Sequence, residues 1–342
     1  MQQLRGANEV IEAYHSSLEP FWHPVLPSAE LDKGPIAVEL LGRGLVLARL
    51  EGEASAFDDV CRHLGAALSG GQVVDGGCHL RCPYHGWSYD RSGRCVDIPA
   101  RRGAAIPREA RVRSYATREK YGLIWVCLDE EPEHEIPVLP EFDDPEVHKG
   151  PLRTYGPWRA SAPRIVMAAL DDTHFPWVHP GILGDPAHPE PPDHRVYREG
   201  EYLVSIYDML QPANDTVSAN GGAGALEKVT YTNYVTATSI RLVKESAAGV
   251  YVIWQVASPI AHDRSLIFSR QARSFDRDPA RDPEYERLQD TILEQDRPIV
   301  ESQRPWLLPP LSSRMMLYVR PADLPLVAFQ KWLEELDIPQ EV

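Results

Sequence analysis

Several absences narrow the reading of this 342-residue chain before any motif is considered. No stretch reaches the roughly 18 unbroken apolar residues that a membrane span needs. The N-terminal residues MQQLRGANEVIEAYHSSLEPFW lack an apolar core followed by a small-residue cleavage site. A signal peptide is therefore not expected, and a cytoplasmic location is. Positive charge is in short supply. The 35 Lys and Arg face 50 Asp and Glu, and the net charge of −15 argues against nucleic acid as a general partner. Cysteine is sparse and odd in number, five in all, which favours a reduced protein with free thiols over a disulfide framework. What is present is ordinary for a globular protein, with 43% apolar and 25% charged residues, and the length favours two domains.

The charge is unevenly spread. Residues 81–120 carry ten basic side chains against four acidic ones, a local excess of +6 in an acidic chain. A solvated face would account for it. A docking patch for an acidic electron donor would do so with more purpose, because complementary charge steers encounter.

Within and just before that segment lie Cys61-Arg62-His63 and Cys82-Pro83-Tyr84-His85-Gly86-Trp87, with eighteen residues between His63 and Cys82. Two thiols and two imidazoles in two short loops are the ligand set of a Rieske [2Fe–2S] cluster, one iron taking both sulfurs and the other both imidazoles. A zinc site is the alternative, but zinc cysteines usually come as a C-x2–4-C pair, and neither C-x-H nor C-x-x-H has that form. The small residues Leu64-Gly65-Ala66-Ala67 and the Gly86-Trp87 step suit tight loops. Cys78, Cys95 and Cys127 are left as buried free thiols. Rieske proteins of high potential carry an extra Cys in each loop and a Ser after the loop Gly; here those positions hold Ala66, Tyr84 and Trp87. Fewer hydrogen bonds to sulfur predict a potential toward the low end of the Rieske range.

Around these loops the pattern predicts an N-terminal helix over 8–18 and short strands at 36–42, 44–50 and 54–60. Alternation from Val112 to Leu128 closes a small antiparallel sheet. Phe21 to Val25 reads as an apolar strand, with His23 a core or loop histidine. The Pro- and acid-rich stretch Glu130 to Pro145 reads as a linker. The resulting organisation is an N-terminal helix (1–19), a cluster domain (20–133) and a second domain (134–342).

The second domain holds another constellation. Residues 163–174 have helical composition, placing Asp171 and His174 on one face at i, i+3. His179 is five residues beyond His174, and Pro176 and Pro180 break the helix and let it swing back. Two histidines and a carboxylate with open positions form the facial triad of non-haem Fe(II) oxygenases. The carboxylate is expected in the helix over 283–303. Asp296 falls within a stripe made by Leu288, Ile292, Leu293, Ile299 and Val300, where an unpaired charge is costly. Pro298 should distort that helix and aim Asp296 inward. Glu294 lies off the stripe and reads as solvated. Strands are predicted at 202–207, 229–236, 240–243, 251–256 and 266–273, with Ser218–Gly224 a mobile loop and 326–336 a terminal packing helix.

With both constellations in view, the chain resembles the oxygenase (alpha) subunit of a Rieske non-haem iron oxygenase. The likeness is carried by Phe21-Trp22-His23-Pro24-Val25, the cluster motif, Tyr121-Gly122-Leu123-Ile124-Trp125, the D-x-x-H-x4-H of Asp171, His174 and His179, and Glu294-Gln295-Asp296. It is similar to the compact branch containing methylxanthine N-demethylases, vanillate O-demethylases and saxitoxin-type hydroxylases. The resemblance implies an α+β fold, an antiparallel β Rieske domain followed by a helix-grip catalytic domain of antiparallel sheet plus helices. It implies a [2Fe–2S] cluster on Cys61, His63, Cys82 and His85, and a mononuclear Fe(II) on His174, His179 and Asp296. It also implies a head-to-tail homotrimer, with Asp171 accepting a hydrogen bond from His85 of the neighbouring subunit and carrying the electron across. A ferredoxin or flavin reductase would supply electrons, so NAD(P)H enters only through that partner. The implied reaction inserts oxygen from O2 into a C–H bond of a small aromatic, heterocyclic or alkylamine-like molecule; at an N- or O-methyl group, the product collapses to formaldehyde. A cis-diol-forming dioxygenase and a non-enzymatic Rieske electron carrier are the alternatives. One departure stands out: many members have Asn six residues before the first iron histidine, and this chain has Ala168.

Overall fold

The computed structural model describes residues 6–212 and 226–339. The expected loop at Ser218–Gly224 lies outside the described residues. The chain divides into two compact units, Leu18–Ile136 and Met1–Ser17 with Pro137–Val342.

The first unit is all β. Strands β1 (His23–Pro27), β2 (Ile36–Leu40), β3 (Arg43–Leu50), β4 (Glu53–Asp58), β9 (Ser114–Lys120) and β10 (Leu123–Cys127) form an antiparallel sheet in the order β1-β10-β9-β4-β3-β2. Between β4 and β9 the chain leaves this sheet and builds a second, smaller one from β5 (Gln72–Val74), β6 (His79–Arg81), β7 (Ser88–Tyr89) and β8 (Cys95–Asp97). Tight turns with Gly42, Gly52 and Gly122 at positive φ join β2 to β3, β3 to β4 and β9 to β10. The core between the sheets gathers Val46, Leu50, Phe57, Leu68, Leu80 and Tyr89, and both Cys61 and Cys82 sit in it. His23 is fully buried and its Nε2 donates to the Leu18 carbonyl at 2.8 Å. Burial drives its pKa down to about 4, so it stays neutral.

The second unit is built on one long antiparallel sheet. Strands β11 (His148–Lys149), β12 (Arg153–Trp158), β13 (Arg195–Glu199), β14 (Tyr202–Pro212), β15 (Leu226–Val235), β16 (Ser239–Ser246), β17 (Gly249–Ala261) and β18 (Arg264–Arg273) run in the order β11-β18-β17-β16-β15-β14-β13, with β12 also on β18. The strands outrun the expected segments because hydrogen-bonded ladders extend past the apolar runs. β11, β12 and β13 carry too little alternation to be read at all. Helices α2 (Ala162–Leu170) and α4 (Asp282–Ser302) pack on each other, and α2 packs on β17; α5 (Leu324–Glu335) packs on β13 and β14. The N-terminal helix α1 (Ala7–Leu18) belongs mostly to this unit rather than standing apart, burying Tyr14 and placing His15 with its ring 6.4 Å from that of His262. The expected linker is only partly one. Ile136 and Leu139 are buried, and Glu141 forms a bidentate pair with Arg241.

Two helix expectations need correction. α2 ends at Leu170, not at 174, and Asp171 is already extended (φ −73, ψ 134). The break precedes Pro176, which instead starts the short helix α3 (Phe175–Val178). In α4 the inward stripe is Tyr285, Gln289, Ile292, Leu293, Asp296 and Val300, whereas Ile299 is 51% exposed. On that buried side Gln289 accepts from Gln271 and Asp296 faces His179, so apolar residues alone misplace the helix face. α4 runs on through Pro298 to Ser302.

Candidate metal centres and active-site cavity

The two cluster loops share one local geometry. In the first, the Cys61 N–H donates to Ala66 O at 2.8 Å and the Gly65 N–H to Cys61 O at 2.9 Å; in the second, the Cys82 N–H donates to Trp87 O at 2.8 Å and the Gly86 N–H to Cys82 O at 3.2 Å. Gly65 and Gly86 both have positive φ, and a Cβ at Gly86 would press on Pro99 at 3.2 Å. The matched turns bury the thiols (Cys61 2% and Cys82 3% exposed) and leave His63 and His85 exposed, with their Nδ1 atoms 3.1 Å apart. One buried pair of sulfurs and one exposed pair of imidazoles match the donor chemistry of a [2Fe–2S] centre. Trp87, the residue after the loop glycine, stacks on His63 with centroids 4.7 Å apart and planes 6° apart.

The expectation of poorly bonded sulfur needs amending. The Tyr89 hydroxyl lies 3.2 Å from Cys61 Sγ and also accepts from the Arg62 N–H. Burial, with Cys82 alongside, pushes the Cys61 thiol up, while the tyrosine hydroxyl pulls it down. The sequence signal for this contact was Tyr89 at alternation with Trp87, four residues after His85.

In the other unit, His174, His179 and Asp296 bring one donor atom each to within 4.8 Å of one another. Helix α2 delivers the chain to Asp171, whose side chain accepts from the Thr173 N–H and hydroxyl and so makes a tight turn. That turn, rather than a shared helical face, brings His174 Nδ1 to 3.1 Å from Asp171 Oδ2. The first turn of α3 carries the chain on to His179, which is fully buried with Nδ1 2.7 Å from Gln295 Oε1. Both imidazoles thus donate from Nδ1, and both turn the Nε2 lone pair toward Asp296. Oδ1 of Asp296 is 2.9 Å from His179 Nε2 and 3.5 Å from His174 Nε2, and His179 Nε2 is buried without a hydrogen-bond partner. Lone pairs facing a carboxylate repel it unless a cation lies between them. The donor set therefore fits a divalent ion, and two nitrogens with one oxygen suit iron. Burial works to raise the Asp171 carboxyl, but hydrogen bonds from His174 and Thr173 hold it below the usual range. Burial works to lower the His174 pKa, and Asp171, Asp296 and Asp172 raise it overall. Glu294 is exposed.

These groups open onto a small cavity of about 60 Å³ lined by Trp158, Ile165, Phe175, Leu183, Tyr231 and Leu293, with Ala168 and Ala169 on the helix wall. Ala168 brings no polar atom to the space beside His174. Arg164 holds the frame: only 3% exposed, it donates to the carbonyls of Pro305, Trp306 and Leu307. It thereby ties the helix leading to His174 to the segment following α4. The sequence alone assigns no role to Arg164, Gln295 or Lys244. Only Lys244, a cation on the inward face of a strand, carried a signal in the alternation.

Residues 21–116 match the Rieske [2Fe-2S] domain family, and residues 158–337 match the vanillate O-demethylase oxygenase C-terminal domain family. The chain belongs to the Rieske non-haem iron oxygenases. It is 33% identical over 96% of its length to methylxanthine N1-demethylase NdmA of Pseudomonas putida, covering 91% of that protein. It is also 33% identical to methylxanthine N3-demethylase NdmB of the same organism, over 94% of the chain and 90% of that protein. The solved structure of NdmA with caffeine superposes with a TM-score of 0.81 at 32% identity, covering 95% of this chain and 92% of that one. A Rieske oxygenase carries a [2Fe–2S] cluster and a mononuclear iron, takes electrons from a reductase, and uses O2 on a small organic molecule. The electron-carrier alternative is set aside, because the second unit matches an oxygenase domain. Among the described residues no helix is long and apolar enough to cross a membrane.

Proposed function

We propose that this Rieske oxygenase removes a methyl group oxidatively from a flat, methylated aromatic or heterocyclic molecule. The observation that carries the reading is the buried, unpartnered His179 Nε2 facing Asp296 on the wall of a largely apolar cavity. In this reading Cys61, His63, Cys82 and His85 hold the cluster, and His174, His179 and Asp296 hold the iron. When bound, the two centres supply the redox chemistry, one storing an electron and the other activating O2. The protein's own part is positional. Asp171 and Gln295 fix the imidazole tautomers, the apolar walls exclude water, and Trp158 and Phe175 line the cavity with aromatic surface for a planar substrate.

The proposal includes the head-to-tail homotrimer. Its support is a pair of unpartnered surfaces: Leu64 and Tyr84 are 67% and 65% exposed beside the cluster histidines, and Trp177 is 64% exposed beside Asp171 and His174. The His85 face of one copy set on the Asp171 face of the next would bring the two centres together. It also includes an acidic donor docking on Arg101, Arg102 and Arg108, which are exposed and form no ion pair among the described residues, whereas Glu53 holds Arg91 and Glu135 holds Arg118. Cys78, Cys95 and Cys127, free thiols outside the cluster set, support a cytoplasmic setting.

The test supplies the purified oxygenase with a surrogate reductase, O2 and a panel of N- and O-methyl compounds, and measures formaldehyde against substrate lost. Stoichiometric formaldehyde supports the reading. Ring diols in its place would establish the dioxygenase alternative.

A further inference from the structure

The cavity contains one feature that oxygen chemistry does not call for. Lys244, on β16, lines it together with the iron-site residues. Strand pairing sets Lys244 opposite Tyr231 on β15 and Tyr251 on β17. Its ammonium lies 5.0 Å from the centre of the Tyr231 ring, and among the described residues it makes no hydrogen bond or ion pair. Asp296, the carboxylate in the same cavity, faces the Nε2 atoms of His174 and His179 at 3.5 and 2.9 Å, as one of the three candidate metal ligands. The remaining polar lining is neutral, the amides of Gln255 and Gln289. Burial lowers the Lys244 pKa to about 8, the mark of a charge stripped of water without a counter-ion. A ring face alone offsets only part of that cost.

The placement is selective as well as costly. Leu242 and Lys244 share one face of β16, and Ile253 and Gln255 share the same cavity-facing side of β17. Lys244 sits at the level of Tyr251, four residues along β17 from Gln255, or about 13 Å at strand spacing. The cavity thus has a cationic end and an amide end, with apolar walls and the metal-binding trio between them. A neutral carbonyl would give the ammonium a hydrogen bond but leave its charge uncompensated, whereas a carboxylate supplies both.

We propose that Lys244 is a specificity-determining residue that binds a carboxylate on the substrate, so that the substrate class is a methylated aromatic or heterocyclic acid. This rests on the demethylase reading and narrows it.

The test is equilibrium binding by calorimetry to the iron-loaded oxygenase without donor or O2. The probes are matched pairs: 3- and 4-methoxybenzoate against the corresponding benzamides, and N-methylpyrrole-2-carboxylate against its amide. The wild type is expected to bind at least one acid about 10- to 100-fold more tightly than its amide. K244R should keep most of that ratio. K244M, and K244Q should the methionine variant fold poorly, should reduce it to about threefold or less while cluster colour and iron content stay unchanged. The proposal is overturned if no acid outbinds its amide in the wild type, or if K244M and K244Q retain the preference. Supplying donor and O2 afterwards separates the two readings. Acids that bind through Lys244 but release no formaldehyde sink the demethylase reading alone, whereas formaldehyde from neutral compounds only, with no acid preference in binding, sinks this one.

Discussion

Replacing Arg164 by Met gives the sharpest test of how the mononuclear centre is held. The guanidinium donates to three backbone carbonyls, those of Pro305, Trp306 and Leu307. At about 2 kcal/mol for each charge-assisted bond, these contribute about 6 kcal/mol. Against this stands the desolvation of the cation. Burial brings the Arg164 pKa from 12.5 to about 10, which at 1.36 kcal/mol per unit is about 3 kcal/mol. The methionine, matched in length and free of charge, should therefore destabilise this unit by about 3 kcal/mol. For a unit of this size that is a fall in Tm of about 6–12 °C. The loss should be local as well, because the carbonyls released belong to the segment following α4 and the helix released leads to His174. R164M should bind the mononuclear iron more weakly, with the cluster spectrum unchanged, and R164K should fall between it and wild type. Calorimetry and iron analysis of the three proteins provide the measurement. An R164M protein that melts within about 2 °C of wild type with full iron content would refute the reasoning.

Asp296→Ala should abolish mononuclear iron binding and all O2-dependent turnover while the red-brown chromophore survives, read by metal analysis and visible absorption. Tyr89→Phe removes the hydroxyl beside Cys61 Sγ and should lower the cluster potential by about 40–60 mV, one hydrogen bond's worth for a one-electron couple; an unchanged redox titration would discount that bond. His23 takes a proton at its ordinary pKa of 6.5 when unfolded and only at about 4 when folded, so the unfolded state binds the extra proton between these values. The stability it protects is intact above pH 6.5 and falls by about 3 kcal/mol as the pH drops to 4, a slope that His23→Phe should abolish in denaturant titrations of the first unit. Donor-supported turnover should fall with ionic strength, and the Arg101→Glu, Arg102→Glu pair should remove most of that dependence; salt-indifferent wild-type kinetics would eliminate the basic docking patch.

Much of this molecule is local in sequence and was legible there. The cluster loops are short, and their donors, turn glycines and matched hydrogen bonds fall within six residues of each other. The D-x-x-H-x4-H stretch is similarly compact. Its geometry comes from a helix stop at Leu170 and a turn at Asp171 rather than from a helix continued to His174 and broken by prolines. Asp296 was reachable only because a carboxylate on a buried stripe is anomalous, even though the stripe was drawn through the wrong residue, Ile299. The short strands β11 and β12 were missed because their pairing partner, β18, lies far along the chain, and β13, hairpin-paired to β14, because its charged residues leave too little apolar alternation to record it.

The amino-acid order by itself determined the chemistry on offer: two thiols, four imidazoles and a carboxylate in spacings that suit iron. Those spacings survive any reasonable folding of their own loops. Only the tertiary structure decided which of these groups face one another, because the Asp296 helix and the His174 turn are more than a hundred residues apart. It likewise decided that Lys244 ends in an apolar cavity rather than in water. A strand's alternation says which face a side chain takes, but only the packing of helices over the sheet says what that face encloses.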